Sequence, residues 1–181
     1  QLPWWNPYTH SGTPLLATVQ AGVFYPLNFV FWLFNFPTAW TIYIILQPLL
    51  GALFLYLFLR HHQLHPLSAA LSSLAWVLGG FMLAWLEWGN LGHTLIWLPL
   101  SLWAVDKFFN TRRFKFIVLN ALFLSFSFFA GHLQLFFYVL IANLAYIFYK
   151  RIFWPLAVSY LPLAVIALPQ LLPTLELIKL S

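Results

Sequence analysis

The stretch Ala39–Leu59, AWTIYIILQPLLGALFLYLFL, decides how this chain is read. A helix needs about 20 apolar residues to cross a hydrocarbon core of about 30 Å, and this stretch has that length without one charged side chain. Pro48 and Gly51 lie inside it, a pair tolerated in lipid when neighbouring helices re-satisfy the freed backbone groups. Arg60 ends it. The whole chain shares this character: it is 63% hydrophobic and 6% charged, with a mean hydropathy of +0.87. That composition predicts an integral membrane protein rather than a soluble domain. The apolar runs are long and continuous, so a transmembrane barrel of alternating strands is not expected.

Working outward from this span, the N-terminal side is Trp4–Asn28, WWNPYTHSGTPLLATVQAGVFYPLN, too polar and too broken to cross. Pro7, Pro14 and Pro26 with Gly12 and Gly22 interrupt regular structure, while Trp4, Trp5, Tyr8, Phe24 and Tyr25 suit a water–lipid boundary. Phe29–Phe36 is apolar but short, and it reads as an interfacial helix stopped by Pro37. On the other side, apolar runs predict further spans at about 66–86, 94–109, 116–130, 132–149 and 153–172. The expected fold class is an all-α, polytopic membrane helix bundle of about six transmembrane helices plus an outer interfacial segment. Residues 1–37 form the interfacial loop and short amphipathic helix, and residues 38–181 the bundle. The small residues of 66–86, among them Ser68, Ala69, Ser72, Ser73 and Gly79, predict an interior helix. Pro155, Pro162 and Pro169 predict a kinked sixth span. Gln1 opens the chain without an initiator methionine or signal peptide, which predicts an internal segment missing at least one upstream crossing.

Six alternating crossings place Arg60, Lys107, Arg112, Arg113, Lys115, Lys150 and Arg151 on one side, which should be cytoplasmic. The net charge of +5 is thereby a topology signal, and nucleic acid is not an expected partner. The opposite side gathers Asn6, His10, Gln20, Glu87, Asn90 and His93. His132, Gln134, Gln170 and Glu176 join them from later in the chain. Glu87 and Glu176 are two of only three acidic residues, and each sits at the lip of a span where desolvation is costly without a partner. Either a site or solvated loop ends would account for this clustering.

Elsewhere the polar residues read as structural. His61, His62 and His65 follow Arg60 at a helix end, where cations favour the dipole. Asp106 with Lys107 reads as a pair of sequence neighbours at a cytoplasmic helix end. Asn120 and Asn143 lie mid-span and suit interhelical hydrogen bonds. His93, His132 and Glu87 lack the HxxxH or HxxE spacing of a metal site, and no metal is expected. Cysteine is absent, so disulfides and thiolate metal sites are excluded. No Ser/His/Asp order, P-loop or dinucleotide fingerprint occurs.

Four stretches carry a family resemblance: LPWWNPYTHSGTPLLATVQAGVFYPLN at Leu2–Asn28, QPLLGALFLYLFLR at Gln47–Arg60, FAGHLQ at Phe129–Gln134 and LPQLLPTLEL at Leu168–Leu177. On these the chain resembles the YfhO family of bacterial membrane proteins, within the GT-C class of multi-spanning glycosyltransferases. The resemblance implies a partial GT-C-like fold in the bacterial cytoplasmic membrane, with its polar site facing outside. It implies transfer of a sugar from a polyprenyl-phosphate carrier to a cell-envelope acceptor, the lipid-linked sugar being substrate and no cofactor being required. The general base of such enzymes lies in the first outer loop. No Asp or Glu precedes Glu87, so that base is expected upstream of Gln1. Within the chain, Glu87 and Glu176 are the candidate acid/base or acceptor-orienting groups. His93, His132 and Lys179 are the candidate phosphate partners, Asn6 and Gln20 the candidate hydroxyl ligands, and His10, Gln134 and Gln170 further substrate-binding candidates. A transporter or flippase subunit, or a non-catalytic envelope-assembly scaffold, is the competing expectation.

Overall fold

The computed structural model describes residues 5–8, 12–151 and 158–180. His10, Pro155 and the expected start of the sixth span lie outside the described residues. The helices in chain order are α1 (Val30–Leu33), α2 (Phe36–His61), α3 (Pro66–Val77), α4 (Gly80–Ala84) and α5 (Asn90–Leu95). They continue as α6 (Leu98–Thr111), α7 (Lys115–Phe129), α8 (Leu133–Tyr149) and α9 (Tyr160–Leu180). Tight 3-10 turns occupy Leu16–Thr18, Pro26–Phe29 and Leu86–Trp88. Among the described residues the architecture is all-helical, apart from one antiparallel bridge between Asn6 and Thr13.

Helix α2 contains the whole of Ala39–Leu59, and local chemistry sets its start. The Asn35 side chain accepts from Thr38 N at 3.1 Å, and Pro37 sits in the first turn, where its missing N–H costs nothing. Pro37 therefore opens α2 instead of stopping the interfacial helix, and the break falls at Phe34, which is extended. Among the described residues two helices, Phe36–His61 and Tyr160–Lys179, are long and apolar enough to cross a membrane. Only 17% and 22% of their apolar windows are buried inside the protein. A stripe of Ile45, Leu49, Leu53 and Leu57 stays exposed along α2 at helical spacing.

Three further segments differ from the sequence expectation. Residues 66–86 do not form one interior helix: α3 ends at Val77, and Gly79, extended, separates it from α4. Most of α3 is exposed, and only its Ala69–Ser73–Val77 stripe is buried. Gly51 of α2 completes that contact, since a Cβ there would come within 3.1 Å of both Val77 and Ile96. The small residues thus serve one close crossing of two helices rather than an interior position. Residues 94–109 divide between α5 and α6, with Pro99 in the first turn of α6. The last helix runs from Tyr160 to Leu180, so Pro162 falls in its first turn, Pro169 and Pro173 lie inside it, and Glu176 and Lys179 belong to the helix.

Side-chain contacts sort the bundle into two ends. At one end the C-terminal parts of α2, α6 and α8 meet around Asp106, whose carboxylate lies 2.7 Å from both His62 Nε2 and Lys150 Nζ and accepts from the Tyr146 hydroxyl at 2.9 Å. Asp106 is therefore not the partner of its sequence neighbour. It is buried and held by residues far away in the chain. Further inside, Asn143 Nδ2 donates to Asn120 Oδ1 at 3.0 Å, Asn120 Nδ2 to Ser159 Oγ at 2.9 Å, and Tyr160 to Asn143 Oδ1 at 2.8 Å. These are interhelical bonds joining α7, α8 and the start of α9. The other end carries the loop 12–28.

Candidate functional site

The loop 12–28 is held down by three separate anchors, and they shape the space beneath it. The first is a relay of hydrogen bonds. Trp97 Nε1 donates to the Tyr25 hydroxyl at 3.1 Å, the hydroxyl donates to His93 Nδ1 at 3.0 Å, and His93 Nε2 donates to the Tyr43 carbonyl at 2.9 Å. Every polar atom in it is matched when the imidazole is neutral. Burial lowers the His93 pKa to about 4, against a smaller opposing effect of the Tyr43 carbonyl, and burial raises Tyr25 well above the ordinary phenol value. His93 is thus a buried anchor between loop, α2 and α5, and both its ring nitrogens are occupied.

The second anchor is α9. Gln170 Nε2 donates to the Leu16 carbonyl and Thr174 Oγ1 to the Ala17 carbonyl at 2.9 Å, pinning the 3-10 turn Leu16–Thr18. Gln170 is 2% exposed, so it too is occupied by the loop backbone. The third anchor is Gly131, at φ +97°. A Cβ there would come within 2.9 Å of the Gln20 carbonyl and 3.1 Å of the Val19 carbonyl, so only glycine lets the α7–α8 junction pass this close to the loop.

Two neighbouring cavities lie under the loop. The larger, about 710 Å³, is bounded by loop residues from Leu15 to Asn28 and by Phe31, Trp32, Trp40 and Tyr43. The smaller, about 420 Å³, is bounded by Phe81, Trp85, His132, Gln134 and Tyr138. Gln20, Trp88 and Asn90 line both. Both volumes fall in the range of small-ligand sites, about 300–1,000 Å³. Asn90 Oδ1 is buried and accepts no hydrogen bond. His132 is the N-cap of α8: its Nδ1 accepts from Leu135 N at 3.2 Å, so in the neutral ring Nε2 carries the proton. Gln134 Nε2 donates to the Tyr138 hydroxyl at 2.9 Å on the same wall.

Of the residues singled out from sequence, Gln20, Asn90, His132 and Gln134 come together here. His93 and Gln170 lie beneath them as supports. Asn6 stays in its bridge, pairing N to Thr13 O at 2.8 Å with its Oδ1 accepting from Tyr8 N, and does not border the described cavities. Glu87, Glu176 and Lys179 are exposed, and none is among the described lining residues. Sequence reasoning missed Asn28, Tyr43, Trp85 and Trp88. The tryptophans flanking Glu87 in WLEW were the available signal, since two indoles bracketing the polar outer turn mark a wall as well as a boundary. Among the described residues no group of three or more His, Asp or Glu is placed to hold a metal ion. Compared with known proteins, the chain matches no family model, no curated protein sequence and no solved structure.

Proposed function

We propose that the chain is part of a multi-spanning membrane glycosyltransferase that moves a sugar from a polyprenyl-phosphate carrier to a cell-envelope acceptor on the outer face of a bacterial cytoplasmic membrane. The observation that carries this reading is the convergence on one cleft of the stretches quoted for the YfhO resemblance. The loop of the first stretch meets Gly131 of the third and Gln170 and Thr174 of the fourth. Gln47 of the second is buried behind the cleft, where its Nε2 donates to the Leu86 carbonyl at 3.1 Å. A largely apolar cleft carrying a few amides and one imidazole, roofed by the loop on a bundle whose helices leave apolar stripes unburied, suits a substrate with a wet head and a lipid tail.

In this reading the bundle crosses about six times, with the Asp106 end inside and the cleft outside. The larger cavity, with Trp32 and Trp40 at its edge, admits the lipid-linked donor from the side. A carboxylate deprotonates the acceptor hydroxyl as the sugar carbon changes partners and the lipid phosphate leaves. Glu87 and Glu176 stand outside the described lining, so in this reading a carboxylate of an outer loop serves as the base and Glu87 orients the acceptor beside Trp88. The transporter alternative calls for ionisable groups at mid-depth. The buried Asp106 lies within about one and a half turns of the end of α6, and the middle of the bundle is joined by amides and hydroxyls.

The test is transfer of radiolabelled sugar from a polyprenyl-phosphate donor to envelope acceptor in membranes containing the full-length protein. Transfer that depends on an outer-loop carboxylate is the expected result. Folded protein that transfers nothing from any such donor would contradict the reading.

A further inference from the structure

The seam between the two cavities has a chemistry of its own. Gln20, Trp88 and Asn90 are the residues that both cavities share, so a ligand entering either one meets an indole and two amides. Asn90 Oδ1 is shielded from solvent yet accepts nothing, although a buried carbonyl oxygen left without a donor costs about 1–3 kcal/mol. The same residue's backbone carbonyl is satisfied by Thr94 Oγ1 at 2.9 Å, so the vacancy is confined to the side chain. An acceptor held ready in this way calls for a ligand that brings a hydroxyl or N–H donor. It disfavours the lipid-linked phosphate, a diester whose oxygens carry no proton to donate.

The remaining walls agree. Trp88 is 61% exposed and presents a broad indole beside Asn90, and Trp85 lies near it with ring centroids 6.5 Å apart. The C–H bonds on the flatter face of a sugar ring carry small positive charges that suit the negative π face of an indole. The other polar groups on the described walls are amides, hydroxyls and one imidazole, all of them neutral partners for hydroxyl groups when the imidazole is unprotonated.

We propose that the seam is the subsite for an uncharged sugar ring, stacked on Trp88, with one ring hydroxyl donating to Asn90 Oδ1 and others meeting Gln20 and Gln134. This deepens the glycosyltransferase reading and rests on it for the identification of the sugar as a substrate. It also separates the two halves of the donor: the sugar occupies the seam, and the phosphate is held elsewhere.

The experiment uses the full-length protein in lipid nanodiscs, free of glycoside detergents, with methyl glucoside, methyl mannoside and N-acetylglucosamine as probes and inorganic phosphate as comparison. Saturation-transfer NMR reads which probe protons touch the protein. At least one neutral sugar is expected to show transfer concentrated on the C–H protons of one ring face, whereas phosphate should not displace it. Asn90→Leu should weaken binding about tenfold, the loss of one well-made hydrogen bond. Trp88→Ala should remove the ring-face pattern, while Trp88→Phe keeps part of it and controls for folding. Displacement of the sugar signal by inorganic phosphate, or sugar binding indifferent to both Asn90→Leu and Trp88→Ala, would overturn the subsite. A normal sugar signal in protein that transfers no label would leave the subsite standing and contradict the transferase reading instead. Label transfer with no neutral sugar binding would do the reverse.

Discussion

The two ends of this bundle solve opposite problems with similar residues. Around Asp106 a carboxylate, an ammonium, an imidazole and a phenol meet at 2.7–2.9 Å, as two ion pairs and a hydrogen bond that leave no open volume between them. Around Asn90 a set of amides, indoles and one imidazole encloses open volume and leaves a buried acceptor unmatched. By charge alone the Asp106 end would be taken for the reactive one. The comparison teaches that the density of titratable groups is a poor guide to function, and that the balance of donors and acceptors is a better one. A cluster that closes on itself stabilises a fold, whereas one that stays open awaits a ligand.

The largest effect should come from breaking the closed end. Asp106→Ala strands the Lys150 ammonium, 20% exposed, beside His62. Removing one partner of a buried pair costs about 3–5 kcal/mol, and the partial exposure of Lys150 and His62 puts this case at the low end. Thermal unfolding in detergent should show it, and a second change, Lys150→Met, should restore much of the loss. Sugar binding per folded molecule should stay normal, because Asp106 acts only on stability.

Gly131→Val attacks the seat of the open end. It forces a side chain onto the Val19 and Gln20 carbonyls at a backbone angle that disfavours any Cβ, at a cost of about 1–3 kcal/mol in strain alone. The loop should lift, so limited proteolysis should cut within residues 12–28 and sugar transfer should fall, with the Asp106 end intact.

His93 sharpens the contrast through pH. Its pKa falls from 6.5 when unfolded to about 4 in place, so the folded state excludes a proton that the unfolded chain binds. The His93 contribution to stability is therefore flat above pH 6.5 and declines by about 1.4 kcal/mol per pH unit on acidification until about pH 4. His93→Phe should remove this slope and cost about 1–3 kcal/mol at neutral pH by leaving Tyr25 and the Tyr43 carbonyl without their partner. The measurement is unfolding midpoint against pH for both proteins.

The smallest changes in stability belong to the cleft rim. Glu87→Gln, at an exposed position, should alter stability by less than about 0.5 kcal/mol yet lower sugar transfer severalfold. His132→Asn keeps a side chain able to cap α8 while removing the imidazole, so a fall in transfer without loss of stability would mark a role beyond capping. Unchanged transfer in both variants would remove these residues from the site.

Much of this arrangement is legible in the sequence. The apolar runs at 39–59, 116–130 and 132–149 became α2, α7 and α8 within a few residues, because length and hydropathy dominate when nothing polar competes. The Asn120–Asn143 pairing was legible for the same reason: an amide in an apolar helix must find another. What stayed hidden was tertiary. Nothing in the local sequence says that Asp106 turns to Lys150 and His62 rather than Lys107. Nor does it say that His93, one of two histidines following a glycine, is a buried anchor, while His132 caps a helix at the cavity wall. The two GH pairs look alike as sequence, and only burial separates them. A proline's effect likewise depends on its position in the turn: Pro37 starts a helix instead of stopping one, because its missing N–H falls where no intrahelical bond is made.

The proposed topology, with the Asp106 end and the cleft on opposite sides of one membrane, can be tested with a single pair of cysteines. The chain has none of its own. Gln20→Cys on the cleft and Arg151→Cys beside the Asp106 end are both at exposed positions. A membrane-impermeant maleimide applied to intact cells should label Gln20→Cys at once and Arg151→Cys only after permeabilisation. Labelling of both from the same side would contradict the account.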